Sequence, residues 1–460
     1  MYTSYRPLKI VIVGGVAAGM SAAMRARRND ARCSISVIQK EDDVSFAACG
    51  LPYWIGGDVP SDDKLVIRTK KDFEQAGIRV LTAHEALSFN AIRKTIRLKE
   101  LSTHKVFNLP YDRLIIATGA RPQTIAAPGA DLNGIFYLRS LRDGRAIDAY
   151  IREYKPKKAH IIGSGYIGLE MAEALRKRGL RVTVVEKADT LLPMAAEPIR
   201  EAVMTTLLQN ECRFMVRNTV LQFVGASRVT SLMLQNGGEE ETDLVILATG
   251  VTPNVAFARS GGVGLGRTGA IAVNARQETN VQGVFAAGDC SEARHRIANR
   301  YTWLPLGTTA NKQGQVAADN ATGRPGRFEG ITGTIAVKVF DYEYAATGLS
   351  LAELDKWAPG YETACITAGS RAGYYPGGAP LTVWLAFEKR SGKVLTVQMG
   401  GRDGVVKRID VAAVALQAKM TVHDLAGADL SYAPPFAPVK DPLLLAARQA
   451  VKILETNKRR

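Results

Sequence analysis

The stretch AHIIGSGYIGLEMAEALRKRG (159–179), continued by LRVTVVEK (180–187), decides the fold. An apolar run ends in glycines, a helical pattern follows, and a second apolar run ends in an acid. That order predicts a buried strand, a tight turn, a helix and a parallel strand. Gly163, Gly165 and Gly168 stand in full G-x-G-x-x-G spacing, with Tyr166 and Ile167 between the last two. The first glycine permits the turn and the second lets a pyrophosphate approach the backbone. The third lets the helix pack close to the strand. Glu186 ends the second strand, 23 residues after Gly163. A carboxylate there can bind both hydroxyls of an adenosine ribose and repel a 2′-phosphate, which favours NADH over NADPH. The adjacent Lys187 acts in the opposite sense.

Outward from this unit, the same shape occurs at LKIVIVGGVAAGMSAAMRAR (8–27) and SISVIQK (34–40). Gly14 and Gly19 hold the outer glycine positions, with Gly15 and Ala18 between them and Val16 in the middle position. The second strand ends in Gln39 and Lys40 instead of an acid. Glutamine can still hydrogen-bond a ribose, with less strength than a carboxylate. Two units mean two nucleotide sites. Between them lies YDRLIIATGARP (111–122), and DLVILATGVTPN (243–254) follows the second. Each is a buried β run ending in Ala-Thr-Gly, and both are read as crossings between nucleotide domains. Ala117, Thr118, Gly119 and Arg121 belong to the first crossing and Gly250 to the second. TNVQGVFAAGDC (279–290) adds a strand ending at Gly288-Asp289. Asp289 alone suits a helix cap. With the other three segments it suits the ribityl chain of FAD.

SFAACGLPYWIGG (45–57) carries Cys49. Five residues on stands Trp54, and Cys33, Cys212, Cys290 and Cys365 are remote in sequence. Cys49 is therefore expected to act alone, oxidised either as a sulfenic acid or as a mixed disulfide with a small molecule. Beside an electron-poor flavin its thiol is expected to have a lowered pKa.

This order of motifs resembles the pyridine nucleotide-disulfide oxidoreductases over essentially the whole chain. Ser45, Phe46, Cys49, Gly50, Leu51, Pro52 and Tyr53 are similar to the coenzyme A disulfide reductase branch. So are AGYYPGG (372–378) and SYAPPFAPVKDPL (431–443). That branch also holds NADH oxidases and polysulfide or persulfide reductases. The resemblance implies a homodimer whose C-terminal domains send Tyr374 and Tyr432 toward the partner's redox cysteine. It implies coenzyme A along the first helix, at Ser21, Arg25, Arg28 and Ser45. Ala48 replaces an asparagine common in the branch, and Arg371 replaces a histidine. Ala17 stands where peroxidase relatives carry a histidine, which argues against peroxide reduction. The implied activity is FAD-dependent NAD(P)H:disulfide oxidoreduction, acting on coenzyme A disulfide or CoA-linked per- or polysulfides through a Cys49 mixed disulfide. The alternative is an oxygen-reducing NADH oxidase with a Cys49 sulfenic acid.

The expected fold is α/β. Two Rossmann-like domains are expected, for FAD (1–120 and 251–327) and for NAD(P)H (121–250). From 328 to 460 the texture changes to sheet strands followed by a helix, an α+β dimerisation domain without a nucleotide motif. Sixty Lys and Arg against 44 Asp and Glu give a net charge of +16. No nucleic-acid module accompanies the charge, apart from a short basic end at Lys458, Arg459 and Arg460. No apolar run approaches the roughly 18 residues of a membrane span, and no Cys/His spacing suggests a metal. With five scattered cysteines, a cytoplasmic location is expected.

Overall fold

Buried apolar runs that end in glycine turns build two five-stranded parallel sheets in the computed structural model. It describes residues 6–459, with side chains to 456, so the basic end at Lys458–Arg460 lies outside the described side chains. In the first sheet the order is Val284–Ala286, Arg113–Ile116, Lys9–Val13, Ser34–Ile38 and Ile78–Leu81. The second runs Arg213–Met215, Arg181–Val185, Lys158–Ile162, Leu244–Leu247 and Ile135–Phe136. The central strands are buried almost throughout, as parallel sheets covered on both faces require. Each sheet has a three-stranded antiparallel meander attached, His84–Pro110 in the first case and Val220–Glu241 in the second.

The two Ala-Thr-Gly segments meet. Beyond them, Ala120–Pro122 and Val251–Pro253 pair antiparallel, Thr252 opposite Arg121, in a two-stranded ribbon. The chain leaves the first sheet along one strand of this ribbon and returns along the other.

The third sheet is antiparallel, in the order Ile335–Val339, Tyr342–Gly348, Val394–Gly401, Pro380–Glu388, Tyr361–Gly369. Helices Val405–Gln417 and Pro442–Arg459 pack on it and share its apolar core. Among the described residues no helix is long and apolar enough to cross a membrane.

His160 is the exception inside the second sheet. Its ring is buried, and neither nitrogen has a hydrogen-bond partner. Burial, with Arg213 and Lys158 nearby, depresses its pKa from 6.5 to about 4. The unfolded chain takes up this proton near pH 6.5 and the folded chain does not until about pH 4. Folding stability therefore falls as pH drops through that window, by about 3 kcal/mol in total. His160→Leu removes this component, so the gap in denaturant midpoint between variant and parent should be constant above pH 7 and widen toward pH 5 in the variant's favour.

Candidate active site

Both glycine loops are shaped by their own backbone. A Cβ on Gly14 would lie 2.0 Å from the Ala117 carbonyl oxygen, and one on Gly163 2.4 Å from that of Ala248. Gly19 and Gly168 would strike the carbonyls of Gly14 and Gly163 at 1.8 and 2.1 Å. Gly19 and Gly168 hold helix against glycine loop, and Gly14 and Gly163 hold the loop against the neighbouring crossing. Gly165 differs, because its Cβ would meet nothing within 4 Å. Protein packing does not demand that glycine, so the open space suits a ligand. The helices Ala17–Asn29, Tyr166–Lys177 and Gly307–Ala321 start without a side-chain cap. Capping boxes close the starts of Leu141–Tyr154 and Leu351–Trp357. The uncapped starts leave backbone N–H groups for phosphates or a flavin.

The residue after each second strand folds back into its own loop. Gln39 accepts from the Gly15 N–H at 2.7 Å. Glu186 accepts from the Ser164 N–H and Oγ–H (2.8 and 2.7 Å) and from the Ala188 N–H (2.9 Å). Tyr166 is half-buried, while Ile167, Lys40 and Arg121 are exposed, Lys40 on Glu85 at 2.7 Å. Thr118 donates to the Asn254 carbonyl at 2.6 Å, which locks the two crossings together. Gly119, Gly250 and Gly288 all adopt positive φ, a conformation glycine takes at no steric cost.

Asp289 is ion-paired to Arg139 at 2.8 Å, and its carbonyl accepts from the Trp303 indole. No motif marks Arg139 in the sequence. It lies 3.3 Å from where a Gly119 Cβ would stand and pulls the Cys49 pKa down. Arg139, Asp289 and the Gly119 turn therefore share the neighbourhood of the thiol. These residues fit FAD: uncapped helix starts for its phosphates, a glutamine and an aspartate for its hydroxyls, and a cation nearby.

Cys49 sits in the helical turn Ala48–Gly50, which runs into the helix Leu51–Ile55. Trp54 is buried, and Gly144 admits it, since a Cβ there would lie 2.8 Å from the indole. Ser45, four residues before the cysteine, takes φ 50°, a left-handed strain of the kind that collects at reactive sites. All five cysteines are free, and Cys33, Cys212 and Cys290 are buried.

The chain's own groups act on the thiol in the opposite sense to the lowering expected beside a flavin. Solvent reaches Cys49, yet protein crowds it closely. That burial pushes its pKa up, Glu170 adds to the rise, and Arg139 offsets only part of it. Glu170 also escaped the sequence reading. It sits on the second glycine-loop helix and accepts from the Tyr53 hydroxyl at 3.1 Å, 117 residues away in the chain. Burial, first, raises its pKa to about 7. A carboxyl in that range is protonated below neutrality and opposes the thiolate above it. Glu170→Gln removes the opposing charge. The pH profile of Cys49 alkylation by iodoacetamide should then move to lower pH, and an unmoved profile would detach Glu170 from the thiol.

The coenzyme A residues are placed less simply than the resemblance implies. Arg25 makes a two-point ion pair with Asp319 (2.6 and 3.1 Å), which also accepts from Asn29. It ties the first helix to the helix Gly307–Ala321 and does not share a free face with Arg28, which is exposed. Ser21 accepts from Asn311 at 2.7 Å.

Tyr374 and Tyr432 are 58 residues apart in sequence, and their hydroxyls meet at 3.1 Å. They are 76% and 46% exposed, with Phe436 and Val439 also exposed on the second segment. No hydrogen bond joins either tyrosine to Cys49 of the same chain. Arg371 forks onto Asp403 at 2.8 and 3.2 Å and so braces the Tyr374 loop.

Comparison with known proteins agrees with this geometry. The family model for the pyridine nucleotide-disulphide oxidoreductase matches residues 8–314, and that for its dimerisation domain matches 334–442. The NAD(P)H coenzyme A polysulfide/persulfide reductase of Pyrococcus horikoshii is 37% identical over 96% of this chain and 98% of that protein. A coenzyme A disulfide reductase of Staphylococcus aureus is 32% identical over 94% of this chain and 97% of its own length. The crystal structure of reduced Bacillus anthracis CoADR-RHD superposes with a TM-score of 0.95 at 37% identity, covering 98% of this chain and 81% of that one. With two glycine loops, crossed Ala-Thr-Gly segments and a lone cysteine in one framework, the chain belongs to the pyridine nucleotide-disulphide oxidoreductase family.

Proposed function

We propose that this protein is an NAD(P)H-dependent flavoprotein that reduces coenzyme A disulfide, or CoA-linked per- or polysulfides, through a mixed disulfide on Cys49. The observation that carries the reading is the accessible lone thiol beside Asp289 and Arg139, combined with the hydroxyl pair Tyr374–Tyr432. Gly14, Gly15, Ala18, Gly19, Gln39, Thr118, Gly119, Gly288 and Asp289 would hold FAD. Gly163, Gly165, Gly168 and Glu186 would hold the nicotinamide nucleotide. When bound, FAD supplies the two-electron chemistry by which NAD(P)H reduces the sulfur centre.

The chain's own residues account for the rest. Cys49 as thiolate attacks one sulfur of the substrate disulfide. A Cys49–sulfur bond forms, the substrate S–S bond breaks, and the other half leaves with the electron pair. A phenol meeting that thiolate donates its proton, so the product leaves as a weaker base. Tyr432 is the donor, with Tyr374 hydrogen-bonded behind it. Neither hydrogen-bonds to Cys49 of its own chain, and the chain carries a dimerisation domain. We assign the donor to the thiol of the partner subunit in a homodimer, with the domain limits expected from sequence. Arg28, which is exposed, would meet coenzyme A phosphates, and Arg25 serves them only by leaving Asp319.

Turnover under air and under argon tests the reading. NADH oxidation should be fast with coenzyme A disulfide under argon and slow with oxygen alone. The reverse order would install the oxidase, with a Cys49 sulfenic acid.

A further inference from the structure

Arg408 is 2% exposed, among the largest side chains fully buried in the protein. A buried guanidinium costs several kcal/mol unless every part of it is paired, and an apolar side chain of similar volume would often be as stable. Its bonds go to three places. Nε donates to Asp441 at 2.8 Å, Nη2 to the Ser370 carbonyl at 2.9 Å and Nη1 to the Gly404 carbonyl at 2.8 Å.

Two of those places are the roots of the tyrosine segments. Ser370 closes the Tyr374 loop: its N–H donates to the Ala379 carbonyl (2.9 Å), and its hydroxyl oxygen accepts from the Ala379 N–H (3.1 Å). Its hydroxyl also donates to Asp403 at 2.8 Å. Asp441 ends the Tyr432 segment, accepting from the Leu443 N–H at 2.9 Å as the last helix begins. The neighbouring Lys407 donates to the Phe436 carbonyl at 2.8 Å in the middle of that segment. Tyr374 and Tyr432 are themselves exposed. Within one chain, packing does not hold their hydroxyls 3.1 Å apart, so before a partner docks their register depends on where the two backbone segments are rooted.

We infer that Arg408, with Asp441, is a positioning residue that fixes the Tyr374–Tyr432 hydroxyl pair for proton delivery. The inference rests on the tyrosine role proposed above. It goes beyond that role in giving a buried ion pair, which hydrogen-bonds neither tyrosine side chain, control of the donor's geometry.

The test uses the full FAD-loaded enzyme with 3-fluorotyrosine at position 432. Arg408→Met should lower kcat for coenzyme A disulfide by about tenfold or more, as small misplacements of a reacting group do. Flavin bleaching by NADH should stay within about twofold of the parent, because it does not use the tyrosines. In a Tyr432→Phe background the same substitution should cost almost nothing, since the two act in one path. The fluorine titration of Tyr432 should move toward that of free fluorotyrosine, and Arg408→Lys should recover part of the loss. An equal loss in both backgrounds, or an unmoved fluorine titration, would overturn the inference. If Arg408→Met does not fold, Asp441→Asn keeps the helix-capping oxygen and carries the same expectations. If Tyr432→Phe alone costs nothing, proton donation by Tyr432 fails, and the fluorine titration still decides whether Arg408 sets the pair.

Discussion

Cys49→Ser should abolish disulfide turnover, a loss on the order of 10⁴-fold or more in kcat, as when a covalent nucleophile is removed. NADH should still bleach the flavin. The reason is chemical: a serine oxygen cannot form the sulfur–sulfur bond through which the substrate is held and reduced. The substitution is nearly isosteric, and the site is solvent-accessible, so the fold should not register it beyond about 0.5 kcal/mol. The buried neighbours Leu51, Trp54 and Ile55 keep the helix seated whichever atom occupies the γ position. Stopped-flow reduction and steady-state turnover on one sample separate the two half-reactions. Full turnover in the variant would remove the thiol from the mechanism.

Tyr432→Phe carries the second large effect. Loss of a positioned proton donor costs about 10²–10⁴-fold. That loss should appear in release of the first thiol product and leave NADH oxidation by the flavin untouched. The hydrogen bond with Tyr374 raises the Tyr432 pKa above its ordinary 10, because it holds the protonated hydroxyl. Tyr432 therefore stays a neutral donor through the physiological range. Tyr374→Phe removes that bond, so the alkaline limb of the turnover profile should move to lower pH. A Tyr432→Phe enzyme with unchanged product release would reduce the pair to interface packing, a common use of tyrosine.

The glycine loops, the crossings and the lone thiol were legible because their physics is local. A glycine that must avoid a carbonyl oxygen at 1.8–2.4 Å leaves a fixed spacing in the sequence. The two Ala-Thr-Gly segments announced themselves as crossings by repetition, although not the ribbon that pairs beyond them. What stayed illegible joins distant parts of the chain through single side chains. The resemblance set both Arg25 and Arg28 on coenzyme A. Asp319, nearly 300 residues on, takes one of them. Glu170 reads as an ordinary polar helix position until folding sets it on Tyr53. Arg139 lies in a helix entry with no motif, and Arg408 in an amphipathic pattern whose polar positions normally face water. The low thiol pKa was expected from the flavin alone. The protein's own carboxylate and burial work against it.

Intact mass of the denatured chain, after incubation with coenzyme A disulfide and no NADH, tests the central claim most directly. The account predicts one coenzyme A-sized adduct, absent in Cys49→Ser and removed by dithiothreitol or by NADH with the bound flavin. A chain that stays bare, or gains only oxygen on Cys49, would contradict the mixed-disulfide mechanism.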